Sequence, residues 1–330
     1  MDGEAYRQYR AVRDAAGWMQ REGLGQLAIR GNDRYTWLQG MVSNDVRPLA
    51  RGEVQRVQAC VLDATGHVLT DLALLNGAGD PPWVLAEMPL QTLTSITAQF
   101  ERYIIMEDVQ LEDVTATVAG ISLQGPQALD IWATFQEETE SAQVVAWAGA
   151  DHTGSGGVDL YVPVAEFEVW VRLLEARQVP RIDAEVQNVL RVEAGIPKYG
   201  AELDPRVIAL EANIGPTHIS LTKGCYVGQE IMARIDARGH TNRALTGLLI
   251  KSSTLPQPED RLFFMEEGSE RETGRITSVI ACSPATQGLP VALGYVRHEH
   301  RTPGTLLEAR NEERRVPVQV CTLPFYTRSL

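Results

Sequence analysis

Apolar residues at Tyr9, Val12, Ala15, Ala16 and Met19 recur at helical spacing, and Gly23 follows as a stop, which predicts an amphipathic opening helix. The pattern then shortens. Apolar runs at residues 27–29, 58–62 and 68–75 read as strands, with a helix over 34–42 between the first two. A second mixed stretch begins near Val114, with a strand at 115–121, a helix from Gln127, a strand at 158–162 and a helix at 165–176. Beyond Leu245 the chain reads as short strands at 246–250, 275–280, 291–296 and 316–321, separated by Pro, Gly and charged turns. That rhythm predicts a small C-terminal barrel or sandwich.

Length agrees with several domains, because 330 residues exceed the roughly 250–300 at which a single core stops growing. With 44% hydrophobic and 22% charged residues, the chain reads as an ordinary globular protein. Its net charge of -13, unbroken by any Lys/Arg block, repels a phosphate backbone, so nucleic acid is not expected as a partner. No signal-like leader and no 18-residue apolar stretch stands in the sequence, so a cytoplasmic, membrane-free protein is expected. Cys60, Cys225, Cys282 and Cys321 are widely and irregularly spaced, which predicts neither a disulfide framework nor a zinc site.

The densest chemistry lies in KGCYVGQE, residues 223–230. If a helix runs on from Tyr226, Cys225 lies near its N-terminus, where the macrodipole and Lys223 favour thiolate, and Cys225 shares a face with Gln229. A buried cysteine acting as a small hydrophobe is the alternative, and the residues alone leave both open. Asp71 follows Gly66-His67-Val68-Leu69-Thr70 in a strand. Buried, it would hold a protonatable nitrogen; otherwise it is an ordinary strand-end carboxylate. The six histidines form no metal-ligand spacing, and His298-Glu299-His300 reads as a surface loop. The glycine cluster 154–157 lacks dinucleotide-binding spacing and reads as a turn, and neither a P-loop nor a G-x-S-x-G elbow is present.

The octapeptide resembles the K-G-C-[YF]-x-G-Q-E signature of the YgfZ family of folate-binding proteins. Residues 191–197 and 211–214, the opening Gly31-Asn32-Asp33-Arg34, and residues 274–278 and 292–296 extend that resemblance from about residue 25 onward. It implies an α+β fold shared with the glycine-cleavage T-protein: three domains in a ring around a central tetrahydrofolate cavity, with a small C-terminal β-barrel. The expected domains are 1–113 plus 181–244 as a folate-binding core, 114–180 as a second α/β domain, and 245–330 as the barrel. The resemblance also implies a tetrahydrofolate-binding protein that supports assembly or repair of iron–sulfur clusters in client enzymes. A T-protein-like aminomethyltransferase is the alternative, and a tRNA-modification accessory factor a third.

Carried over by position, the resemblance puts Asp71 on the reactive folate nitrogen and Asp159 on the pterin. It assigns the reactive thiol to Cys225, at the cavity mouth, and supporting folate contacts to Lys223, Tyr226, Gln229 and Glu230. Three positions depart from the aminomethyltransferase pattern: Thr70 stands for a first carboxylate, Gln187 for a cavity arginine and Ser155 for a glutamate. Cys225 is the feature that T-proteins lack.

Overall fold

The computed structural model describes residues 1–138, 143–266 and 269–328. Two antiparallel sheets lie face to face. The first has five strands in the spatial order Arg56–Leu62, Val68–Gly77, Trp83–Pro89, Leu24–Arg30 and Gln110–Asp113. The second runs Gly17–Gln20, Val118–Gln124, Gly157–Pro163 and Ala146–Gly149.

The period of two along each strand sorts the apolar side chains into three layers. Leu72, Leu74, Val84, Ala86 and Met88 of the first sheet pack outward on helices Arg34–Met41 and Leu90–Glu101. Ala73, Leu75, Trp83 and Leu85 point the other way and meet Ala148 and Tyr161 of the second sheet. The outer face of the second sheet carries Leu123, Val158, Leu160 and Val162 against Trp132, Phe135, Trp170 and Leu174 of helices Ala128–Glu138 and Phe167–Ala176. Covered on both faces, the Trp83–Pro89 strand is buried at six of its seven positions. The consequence for function lies in register: Asp71, Glu87 and Asp159 occupy the same parity as the apolar residues of the inter-sheet layer. At one end of that layer, charge replaces hydrocarbon.

A six-stranded closed barrel follows, with Arg243–Ile250, Val291–Arg297, Ser269–Ile280, Arg261–Glu266, Leu306–Arg310 and Arg315–Cys321 adjacent in that order. Closure removes free strand edges. Helix Ala184–Glu193 joins the barrel to the rest through a core that includes Leu190, Val192, Leu245 and Tyr295.

Several expectations change. The opening helix ends at Asp14, and residues 17–20 form a strand instead of continuing it to Met19. Gly17 permits this: a Cβ there would stand 2.4 Å from Ile182 Cδ1. Trp18 then bonds on both sides of Arg181, donating its N–H to Pro180 O and accepting from Ile182 N–H. The barrel strands Arg261–Glu266 and Leu306–Arg310 escaped the pattern because their ends carry charge, as in RLFFME and LLEAR. Within 298–300, His300 is buried, its Nδ1 2.7 Å from Thr273 Oγ1 and its ring stacked on Phe264.

Candidate functional site

Where the inter-sheet layer turns polar, a cavity of about 920 Å³ opens between the first sheet, residues 19–24, the loop at Asp151 and His152, and helix Ala184–Glu193. Its volume and mixed lining suit a ligand of cofactor size.

Asp71 stands on its wall with Oδ1 buried and without a hydrogen-bond partner. Burial pushes its carboxyl up to about 6, and nearby Glu87 adds to the effect, while Arg21 and Arg56 oppose it. A carboxyl so placed exchanges a proton near neutrality, as general acid–base chemistry requires. Glu87, only 3% exposed, faces the same cavity. Its Oε1 accepts from Arg21 Nη2 at 2.5 Å, and its Oε2 has no partner. Arg56 Nε is also buried without a hydrogen-bond partner, Arg21 Nε stands 3.9 Å from Asp159 Oδ2, and both arginines line the cavity. Two carboxylates and two guanidinium groups therefore meet at the wall.

Asp159 lies beneath this surface. It is fully buried and its oxygens are occupied: Arg56 Nη1 donates at 2.6 Å, Ser122 Oγ at 2.6 Å, and His152 Nε2 stands 2.9 Å away. The imidazole and the two arginines hold its carboxyl well below the usual range despite burial. It does not line the cavity, so its position in the structure is that of a counter-ion fixing Arg56 and His152 from behind. His218, which does line the cavity, is driven down to about 4 mainly by burial and is neutral at physiological pH.

The octapeptide forms a different surface. None of Lys223, Cys225, Tyr226, Gln229 or Glu230 lines the cavity. Helix Gln229–Arg238 begins only after Gly228, whose φ of +85° is left-handed and whose Cβ, if present, would stand 2.7 Å from Asp63 O. Cys225 is consequently outside the helix, and the expectation that it shares a helical face with Gln229 is corrected. The Lys223 ammonium donates to Val42 O at 2.6 Å and Asn44 O at 2.8 Å, and burial lowers it to about 8. Its hydrogen bonds tie two stretches of backbone together. Tyr226 is buried, with the Lys223 ammonium 5.0 Å from its ring centre, and Gln229 Nε2 donates to Lys223 O. Glu230 is exposed, as is Cys225; Cys60 is buried.

Reading the sequence thus found Asp71 and missed Glu87, Arg21, Arg56 and His152. One signal was available: Glu87 interrupts an otherwise apolar strand, WVLAEMP. The arginine that answers it comes from the end of a different sheet, a juxtaposition no local pattern carries.

Residues 1–223 match the GCVT N-terminal domain, and residues 243–327 match the glycine cleavage T-protein C-terminal barrel domain. Among curated relatives, an aminomethyltransferase of Rubrobacter xylanophilus is 30% identical over 97% of this chain and 86% of its own length. Another, from Saccharopolyspora erythraea, is 29% identical over 98% and 90%. The crystal structure of the glycine cleavage system aminomethyltransferase T from Bartonella henselae superposes with a TM-score of 0.81 at 20% identity, covering 98% of this chain and 90% of that one. That likeness speaks to the fold.

Proposed function

Since the chain belongs to the GCVT family, with both its N-terminal domain and its T-protein barrel, we propose that it binds tetrahydrofolate in the inter-sheet cavity and transfers an aminomethyl-type one-carbon unit. The observation that carries this reading is the convergence of Asp71, Glu87, Arg21 and Arg56 on the wall of a cavity of about 920 Å³. Carboxylates accept and guanidinium groups donate, so together they can pair a heterocycle that carries both kinds of group. A pterin, with N–H donors beside ring and carbonyl acceptors, has the matching chemistry. Bound tetrahydrofolate would supply nucleophilic nitrogens as one-carbon acceptors. Asp71 would orient them and hold or receive a proton at Oδ1; His218, kept neutral, adds no charge. The relatives named aminomethyltransferase support this reading ahead of iron–sulfur support.

The test is anaerobic titration with tetrahydrofolate, then turnover with aminomethyl donors. Binding with micromolar or better affinity, and one-carbon transfer lowered by at least about 10²-fold in Asp71→Asn, are expected. A chain that binds no reduced folate would overturn the proposal.

A second reading, a folate-linked factor for iron–sulfur enzymes of the YgfZ kind, is favoured by one observation: Cys225 presents an exposed thiol inside an octapeptide whose Lys223 and Tyr226 are buried. Restoration of client-enzyme activity by the wild-type chain and not by Cys225→Ser would support it; equal restoration would remove it.

A further inference from the structure

The barrel reaches the cavity through an irregular strand. Strand Ser269–Ile280 pairs with Val291–Arg297, but the register slips between Ile276, opposite Gly294, and Ser278, opposite Leu293, which leaves Thr277 as an extra residue. Such a bulge reverses the face that the following side chains take. Ile276 packs in the barrel core, whereas Ile280, of the same parity, joins the core shared with helix Ala184–Glu193. Ser278 turns outward with it, and its Oγ donates to Glu202 Oε1 at 2.6 Å. Glu202 is fully buried, and its Oε2 accepts from Arg191 Nη1 and from Lys198 N–H, both at 3.0 Å. Arg191 Nη1 also donates to Ile196 O at 3.2 Å, and Arg191 Nη2 donates to Ser278 Oγ at 2.8 Å. The segment held in this way is cavity wall, for Ile196, Lys198, Tyr199 and Leu203 all line it. Its other anchor is Tyr199, whose hydroxyl donates at 2.8 Å to Leu69 O, on the strand that carries Asp71.

We propose that Ser278 is a positioning residue of the cavity: aimed outward by the bulge at Thr277, it holds residues 196–203 in place through Glu202 and so sets ligand affinity from the barrel. It touches no ligand itself. The effect on affinity rests on the folate reading above, whereas the positioning does not. The hydroxyl has one proton to give and lone pairs to receive, and both capacities are used, toward Glu202 and from Arg191. Alanine there leaves Glu202 Oε1 buried and without its donor. Relief comes by movement of residues 196–203, which are turns and a single bridge between Tyr199 and Leu203, and not by movement of the closed barrel. The strand carrying Asp71 is held by a neighbour on each side, so it stays where it is.

The experiment compares wild type, Ser278→Ala and Ser278→Thr, each as the full chain. Amide hydrogen exchange is measured without ligand, and tetrahydrofolate titration and transfer kinetics follow under anaerobic conditions. Ser278→Ala should speed exchange across residues 196–203 by at least roughly tenfold, with the barrel strands unchanged. Its Kd for tetrahydrofolate should rise roughly tenfold and KM with it, while kcat stays within about twofold because Asp71 has not moved. Ser278→Thr keeps the hydroxyl and should restore both exchange and affinity. Exchange at 196–203 that is unchanged in Ser278→Ala, or equally fast in Ser278→Thr, would mark Ser278 as merely structural and overturn the proposal. Faster exchange with an unchanged Kd would overturn the effect on affinity. Wild type binding no reduced folate would remove the folate reading alone, since the exchange measurement needs no ligand. If Ser278→Ala fails to fold, Ser278→Cys, whose thiol is only a weak donor, carries the same comparison.

Discussion

The cavity wall and the octapeptide loop both gather polar residues among apolar neighbours, yet they resolve that conflict in opposite ways. At residues 223–230 the buried polar groups are satisfied internally: the Lys223 ammonium reaches two backbone carbonyls, and Gln229 closes the turn onto Lys223 O. At the cavity, Asp71, Glu87, Arg21 and Arg56 each keep a buried atom without a hydrogen-bond partner. A satisfied cluster stabilises the fold as it stands. Charged groups gathered on a cavity wall keep bonding capacity for a ligand. The loop therefore reads as scaffold with an exposed thiol attached, and the wall as the surface proposed to bind folate.

The contrast can be broken most directly at Asp71. Asp71→Asn should lower one-carbon transfer by about 10²- to 10⁴-fold, the usual scale for a general acid–base group, in single-turnover assays. The same variant should leave the apo protein more stable at neutral pH. Folding raises this carboxyl from 3.8 to about 6, so the folded chain binds the proton more tightly than the unfolded one. Stability contributed by Asp71 is thus present below 3.8 and lost as pH rises through about 6, a loss of at most about 3 kcal/mol that Asn avoids. Chemical denaturation at pH 4.5 and pH 7.5 should show a variant's advantage of roughly 1 kcal/mol at the lower value and about 3 kcal/mol at the higher.

Asp159→Asn should act on stability instead. Removing the charge that holds Arg56 and His152 leaves a buried guanidinium uncompensated, and a loss of about 3–5 kcal/mol is expected in urea unfolding. An unchanged midpoint would show that Asp159 is not the counter-ion behind the wall. Lys223→Met should cost about 2–3 kcal/mol through two lost charge-assisted hydrogen bonds, while folate affinity of the folded protein stays within about twofold, a change below roughly 0.5 kcal/mol. A large affinity loss would move the octapeptide from scaffold into the binding surface. Smallest of all, Cys225→Ser should shift stability by less than about 0.5 kcal/mol, as exposed positions do, and leave transfer intact. At neutral pH an alkylating probe should label Cys225 before Cys60, which is fully buried. Slower labelling of Cys225 would contradict its exposure.

Much of this architecture was legible in advance where it depends on short-range pattern. Residues 68–75 and 158–162 read as strands from their apolar runs, and Asp71 stood out as a carboxylate inside one. The strand at 17–20 did not, because Trp18 and Met19 fit a helical period as well as a strand, and the deciding contacts come from Pro180 and Ile182, far along the chain. Glu87 and Arg21 were hidden for the same reason: their pairing depends on two sheets meeting. Conversely, the octapeptide was conspicuous because rare residue types crowd together there, and crowding in sequence says little about which wall of a fold they reach. Cys225 illustrates this, since the left-handed turn at Gly228 delays the helix and leaves the thiol outside it.

Only Arg21, Glu22 and Gly23 separate the last residue of the strand in the second sheet from the first residue of the strand in the other. Arg21 N–H is pinned to Gly120 O, and Gly23 O accepts from Leu90 N–H. Both sheets are thereby stitched at the rim of the cavity by a taut bridge whose middle is itself part of the wall. Such a bridge works like the frame of a mould: the spacing between Arg21 and the carboxylates is cast when the chain folds, not adjusted when a ligand enters. New ligand preferences in relatives of this architecture could then arise by changing the length of that bridge, with every charged residue of the site left as it was.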